Sequence, residues 1–215
     1  MSGSTADHPL TDPHLASQPL DVFAWLAQHQ QVGRCPQTQA PSRFTACLID
    51  TPLGEMVAVG DPEGLHLLEF TDRKILGATL ARLAVKGGIV LGNSWVLDQI
   101  TEQIGTYFAG SDQAFSVPLV MHGTSFQRRV WQGLLQLPRG TRHSYKEFAQ
   151  QIGLPKAVRA VGAANGRNQL AVVIPCHRLL GRDGALTGYG GGLWRKRRLL
   201  ALETGLGSGQ MGESA

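Results

Sequence analysis

Cysteine is scarce in this chain. Only Cys35, Cys47 and Cys176 occur, an odd number with no framework spacing, which argues against a disulfide scaffold and for a reducing compartment. Neither Cys35 nor Cys47 stands at metal-ligand spacing, so no metal centre is expected. No apolar run approaches the roughly 18 residues of a membrane span. Met1 to Asp7 is polar and acidic, unlike the basic and apolar regions of a signal peptide. A soluble, cytoplasmic protein is expected. Internal repeats and low-complexity tracts are missing too. A length of 215 residues is enough to bury a core, as one compact unit or two small ones.

Acid is also missing from one long stretch. Residues 124–203 carry 14 Lys and Arg against 3 Asp and Glu, whereas residues 1–123 carry 6 against 12. The net values are +11 and −6, and the last twelve residues add −1 to give the overall +4. A run such as Arg195-Lys196-Arg197-Arg198 alone is usually a solvated face. Fourteen cations opposed by three acids are the electrostatic footprint of a nucleic-acid face on the second half.

Turn residues divide the chain. Residues 1–42 read as a disordered tail and linker, with a short amphipathic helix between Leu20 and Gln31. Arg43–Asp50, Glu55–Gly60 and Leu65–Phe70 are short apolar runs separated by Thr51-Pro-Leu-Gly54 and Asp61-Pro-Glu-Gly64. That punctuation predicts an antiparallel meander, followed by a helix near 73–84, a strand near 88–91 and a helix from Trp95 to Phe108. Phe126, Val130, Leu134 and Leu137 share a helical face that ends at Pro138-Arg-Gly140. Ser144-Tyr-Lys-Glu147 is a capping box, and its helix runs to Gly153, a C-terminal glycine. Pro155 then opens a helix to Asn165. Helix, glycine turn, helix is a helix-turn-helix pattern. The expected fold is α+β: a small antiparallel-sheet N-terminal domain over 43–110, a helical C-terminal domain with a helix-turn-helix over 120–204, and a tail over 205–215.

The helix Pro155–Asn165 is poor in long polar residues. Beyond Lys156 and Arg159 it is Ala, Val and Gly, including Ala157 and Gly162. Major-groove readers present Arg, Asn and Gln to base edges. A helix of small residues allows close backbone approach to a narrow groove, with phosphates at its N-terminal amides; the same residues would also pack tightly in a core.

The chemistry concentrates in Val173-Ile174-Pro175-Cys176-His177-Arg178. An adjacent His–Arg pair places positive charge beside the sulfur and favours thiolate, the attacking form. Glu203 follows 27 residues after Cys176, at the end of a helical segment, where an acid could orient His177 as the third member of a triad does. An inert Cys with a locally bonded His would present the same hexapeptide.

Ile174-Pro175-Cys176-His177-Arg178 resembles the acceptor motif of the O6-alkylguanine-DNA alkyltransferases, which are direct-reversal repair proteins. The resemblance continues through Gly123-Thr124-Ser-Phe126-Gln127, Ser144-Tyr145, Arg159-Ala-Val-Gly162-Ala-Ala-Asn165, Asn168, Leu186-Thr-Gly188-Tyr189-Gly190-Gly191-Gly192 and Leu199-Leu200-Ala-Leu-Glu203. It is strong over roughly 120–203, looser over 43–120 and absent outside them.

The resemblance implies a single-use enzyme without cofactor, working as a monomer on double-stranded DNA that contains O6-alkylguanine, bound through the minor groove. Cys176 would be the alkyl acceptor. His177, linked to Glu203 (through a water in the family), would be the base. Tyr145 would crowd the phosphate beside the lesion and donate its hydroxyl towards the purine. Arg159 would fill the gap left by the flipped nucleotide. The resemblance further implies that Tyr189 walls the pocket while amides of Gly188 to Gly192, Gly190 among them, face O6. Carbonyls near Cys176 and Leu179 would read the exocyclic amine. Asn168 would tie the recognition helix to the acceptor loop. Gln169 stands where the family commonly has Pro, so a less rigid hinge is expected. Of the ligands of a structural zinc present in some members, only His66 has an apparent match. Two rival readings stand beside this one: an alkyltransferase-like protein that binds lesions without transfer, which would lack the acceptor Cys, and a thiol hydrolase, whose Cys and His usually lie far apart.

Overall fold

The structure is a computed structural model that describes residues 21–29 and 43–205. The sequence reading of the remaining residues as tail and linker, with Cys35 among them, lies outside the described part. Three β-strands, β1 (Phe44–Ile49), β2 (Met56–Asp61) and β3 (Gly64–Phe70), pair as the antiparallel meander that the turns predict. The first turn is closed by the Gly54 amide on Thr51 O at 3.0 Å.

Helix α2 (Leu76–Gly87) crosses over and returns the chain as β4 (Ile89–Leu91), which pairs parallel to β1. The sheet is therefore mixed, in the order β3-β2-β1-β4. A crossover helix delivers a parallel neighbour, whereas the tight turns deliver antiparallel ones. Helix α2 starts later than the sequence suggests: residues 73–76 form a turn closed by the Leu76 amide on Arg73 O at 2.9 Å. It also runs further, to Gly87, and Gly88 with φ 68° caps it.

Alternate residues of the sheet face two cores. Phe44, Ala46, Val57, Val59 and Leu67 pack under α2 and under α1 (Val22–His29) through Val22 and Trp25. Met56, Ala58, Leu68 and Phe70 face helix α3 (Trp95–Phe108) and everything that follows. That second core runs unbroken to Val130, Phe148, Val161, Cys176 and Leu199, so the sheet half and the helical half share one interior.

The helical half contains α4 (Ser125–Leu135), α5 (Tyr145–Gln151), α6 (Val158–Asn165) and α7 (Leu193–Glu203). Helices α4 and α5 both begin with full capping boxes, Thr124 with Gln127 and Ser144 with Glu147. Gly153 turns the chain at φ 71°. Pro155 does not open α6: residues 154–157 form a turn closed by the Ala157 amide on Leu154 O at 2.9 Å, and the helix begins at Val158. Two short parallel strands, β5 (His143–Ser144) and β6 (Leu179–Leu180), tie the entry of α5 to the segment after Cys176. Among the described residues no helix is long and apolar enough to cross a membrane.

Candidate active site

Cys176 is positioned by the sheet. The chain from Asn168 lies along β3, with the Leu68 amide on Gln169 O at 2.9 Å and the Ala171 amide on Leu68 O at 2.8 Å. It then turns through Val172, whose φ of 70° is the left-handed conformation. A buried β-branched residue rarely adopts it, and such strain gathers at functional sites. The turn leads into a 3-10 turn, Cys176–Arg178, in which all three residues are buried.

Asn168 is the knot of this loop. Its Nδ2 donates to Ile174 O at 3.0 Å and to Cys176 Sγ at 3.2 Å, and its Oδ1 accepts from the Leu170 amide at 2.9 Å. Its own amide reaches Asn165 O on α6 at 3.2 Å. Gln169 therefore sits in a segment pinned on both sides.

Glu203, at the end of α7, is the acid beside His177. His177 Nε2 is 2.8 Å from Glu203 Oε1, a direct contact with no water between them. Tyr107 OH also donates to Oε1 at 2.9 Å, and Arg178 grips both oxygens at 2.8 and 2.7 Å. Burial alone would raise the Glu203 carboxyl, but His177 and Arg178 together hold it well below the usual carboxylate range. Burial pushes His177 down, against the pull of Glu203, with Arg178 and Lys196 adding to the fall. The imidazole is thus neutral near pH 7, and its Nδ1 is buried without a protein partner.

The thiolate expectation is corrected by this geometry. Burial pushes the Cys176 thiol up, and the cations that oppose this are Arg73 and Lys196, assisted by the Asn168 hydrogen bond. Arg178 takes no part, because its guanidinium turns to Glu203 and to Leu137 O at 2.5 Å. The resting group is a thiol that needs a base.

The walls come from three directions. Tyr145, the first residue of α5, has its hydroxyl 3.4 Å from Asn165 Nδ2 and 3.5 Å from Gly188 O. Tyr189 closes another side, its ring edge-on to His177 with centroids 6.5 Å apart. Arg73 lies behind Gly190, where an added Cβ would sit 2.7 Å from the guanidinium. The cavity at Cys176 has a volume of only about 10 Å³, room for about one water. A space of that size is far smaller than a purine ring.

Several positions were not assigned from sequence. Arg73, from the sheet half, donates to Asn168 O and Gly166 O at 2.8 Å each and pairs with Glu69. Asn165 Nδ2 donates to Cys176 O at 3.3 Å. Fully buried Lys196 holds Leu179 O and, at 2.6 Å, Thr187 O. The carbonyls of Cys176 and Leu179, expected to meet an amine of the substrate, thus already carry protein donors and have one lone pair each to spare. Only the pairing of Lys196 with two distant carbonyls, which no sequence spacing encodes, would have flagged it.

Helix α6 presents a second surface. Val161, Ala164 and Asn165 face inward, while Arg159, Ala160 and Ala163 are exposed, and a Cβ added at Gly162 would lie 3.8 Å from the Tyr145 ring. Lys156 and Arg159 are exposed and make no ion pair among the described residues. Ala157 is the N-cap and leaves the first amides of α6 without a side-chain cap. Cys176, His177, Glu203, Tyr145, Asn168, Tyr189, Gly190 and Leu179 thus gather at one site, with Lys156, Ala157 and Arg159 on the flank. No group of three or more His, Cys, Asp and Glu among the described residues is arranged to hold a metal. His66 instead pairs with Asp61 at 2.8 Å and His122 at 2.7 Å.

Residues 125–205 match the family model described as 6-O-methylguanine DNA methyltransferase, DNA binding domain. The methylated-DNA–protein-cysteine methyltransferase of Mycolicibacterium paratuberculosis is 44% identical over 159 residues, covering 72% of this chain and 89% of that protein. The one from Methanosarcina acetivorans is 40% identical over 161 residues, covering 73% and 96%. Among solved structures, Mycobacterium tuberculosis OGT in complex with DNA superposes with a TM-score of 0.67 at 40% identity, covering 75% of this chain and 94% of that one.

Proposed function

The chain belongs to the methylated-DNA–protein-cysteine methyltransferases, DNA-binding repair enzymes, and from that premise we propose that it flips O6-alkylguanine out of duplex DNA and moves the alkyl group irreversibly onto Cys176. The observation that carries this reading is the sulfur itself: a buried thiol, hydrogen-bonded by Asn168, next to a neutral His177 that an ionised Glu203 orients.

Helix α6 enters the minor groove, since its exposed face of Ala160, Ala163 and Arg159 permits close approach. Lys156 and the amides after Ala157 hold phosphates. The lesion lies inside the stack, so the nucleotide rotates out. Tyr145 crowds its phosphate, and Arg159, which makes no ion pair among the described residues, takes the vacated place. The Tyr145–Gly188 contact, at 3.5 Å, is weak by hydrogen-bond standards. It yields as the Gly188–Gly190 stretch moves to admit the base.

In the pocket the thiol proton passes to His177 through Nδ1. The sulfur lone pair then attacks the alkyl carbon, the S–C bond forms, and the C–O6 bond breaks with its electrons going to the purine. Tyr145 donates its proton to the purine, guanine leaves neutral, and the proton taken up by His177 returns to the Tyr145 oxygen. Burial raises the Tyr145 hydroxyl, which keeps it a donor. The thioether has no leaving group that restores the thiol, so each monomer acts once.

Cys176→Ala tests the assignment. Transfer is abolished, while affinity for the duplex changes little because it comes from phosphate contacts. Loss of binding as large as the loss of transfer would overturn the separation of roles.

A further inference from the structure

The chain carries few cations before residue 124, and the fold collects most of them in one place. Of the six Lys and Arg in residues 1–123, Arg73, Lys74, Arg82 and Lys86 all line a single open groove between α2 and α4. Arg128 and Arg167 line it from the helical half. Lys74, Arg82, Lys86, Arg128 and Arg167 are exposed and make no ion pair among the described residues. The one acid in the lining, Asp72, is held by Arg195 at 2.9 Å. Trp194 stands at the rim, 48% exposed, with Arg195 stacked 4.6 Å from its ring.

The groove is about 1180 Å³, beyond the range of about 300–1,000 Å³ for pockets that enclose a small molecule. It opens beside the acceptor cavity, sharing Arg73, Gly166, Gly190 and Gly191 with it. It lies apart from the exposed face of α6. Among the described residues no carboxylate neutralises the cations of this open channel except at Arg73 and Arg195. Arg82, Lys86 and Arg128 are hydrogen-bonded only to Thr79, His122 and the Gly123 carbonyl. Such a channel, with an aromatic ring on its edge, suits a phosphodiester chain whose bases can stack.

We propose that this groove binds a single strand of nucleic acid, a second contact surface in addition to the helix-turn-helix. Lys74, Arg82 and Lys86 on one bank and Arg128 and Arg167 on the other hold the phosphates, and Trp194 stacks a base. The proposal goes beyond the transfer reaction and does not depend on the acceptor chemistry. A strand unpaired beside the damaged duplex would be gripped while α6 holds the paired part.

The test compares the full chain with the combined Lys74→Ala, Arg82→Ala, Lys86→Ala variant. Three DNAs are titrated across a salt series: a short blunt duplex, the same duplex with an oligothymidine tail, and the same duplex lengthened by base pairs. Circular dichroism and thermal melting verify that the variant is folded. The tail is expected to raise the affinity of the unaltered protein severalfold and to steepen its salt slope. The variant should lose that gain, with a slope shallower by about 0.7 for each cation removed. Absence of any gain from the tail, or a gain that the variant keeps, would overturn the proposal. An equal gain from the base-paired extension, lost in the variant, would make the groove a duplex surface and overturn the single-strand assignment. Alkyl transfer on the blunt duplex is read in parallel by protein mass; its failure would count against the repair reading and leave the groove result standing.

Discussion

Arg178 grips both carboxylate oxygens of Glu203, at 2.8 and 2.7 Å, so the cation two residues from Cys176 in sequence serves the acid in space. The sulfur is left with Arg73 and Lys196 for electrostatic support. The arrangement keeps Glu203 ionised and His177 neutral, which is the state a base needs.

Glu203→Gln is therefore expected to destabilise strongly. It leaves Arg178 buried without a counter-charge, a change worth about 3–5 kcal/mol in comparable sites. Chemical denaturation measures it. The Glu203 carboxyl is held below its unfolded value of about 4.3. Its stabilisation is thus complete above about that pH and is lost as pH falls through the folded value. The difference between wild type and variant should shrink in acid and stay constant from neutral pH upward.

Burial pushes the Cys176 thiol above its ordinary value. Haloacetamide labelling of the free protein should accordingly rise with pH beyond the range of an exposed cysteine. Asn168→Ala removes a donor to the sulfur and should shift that profile higher still. A labelling midpoint at or below the ordinary thiol value would mean that the resting group is thiolate.

Arg159→Ala and Tyr145→Phe should separate flipping from chemistry. In the proposed mechanism Arg159 supports the rotated nucleotide, so its loss should slow repair of duplex DNA by about 10–100-fold. It should have little effect on transfer from the free O6-alkylated base. Tyr145→Phe should keep much of its defect on the free base. Equal defects of Arg159→Ala on both substrates would remove the flipping role.

Alkylation should loosen the protein. The cavity of about 10 Å³ at Cys176 holds about one water, so a methyl group fills it and a larger alkyl group overpacks it. Overpacking costs about 1–3 kcal/mol, against a typical stability of about 5–15 kcal/mol. The Asn168 contact to the sulfur is disturbed as well, and Asn168 bonds onward to Asn165 of α6. Melting before and after stoichiometric reaction with a free O6-alkylguanine should show a lower midpoint afterwards. A raised midpoint would mean that the pocket accommodates the product.

The features legible in the sequence were the local ones. Ser144 with Glu147 announces the start of α5, Gly153 its end, and the apolar spacing of Val96, Leu97, Ile100 and Ile104 the full length of α3. The parallel placement of β4 and the late start of α6 were not legible. The first depends on a crossover, and the second on a turn that Pro155 also suits. Arg73 and Lys196 escaped notice because their partners stand 95 and 17 residues away, Asn168 O and Leu179 O. A cation satisfied by distant carbonyls leaves no periodic trace. The neighbour rule also misled, since nearness of Arg178 to Cys176 in sequence says nothing of where a long side chain turns.

The most direct measurement is the intact mass of the protein after incubation with a duplex containing O6-methylguanine, followed by peptide mapping. The account predicts a gain of one methyl group per molecule, carried on Cys176, with unmodified guanine left in the DNA and no second turnover in excess substrate. An unchanged protein mass with repaired DNA, or release of more than one equivalent of product per molecule, would contradict it.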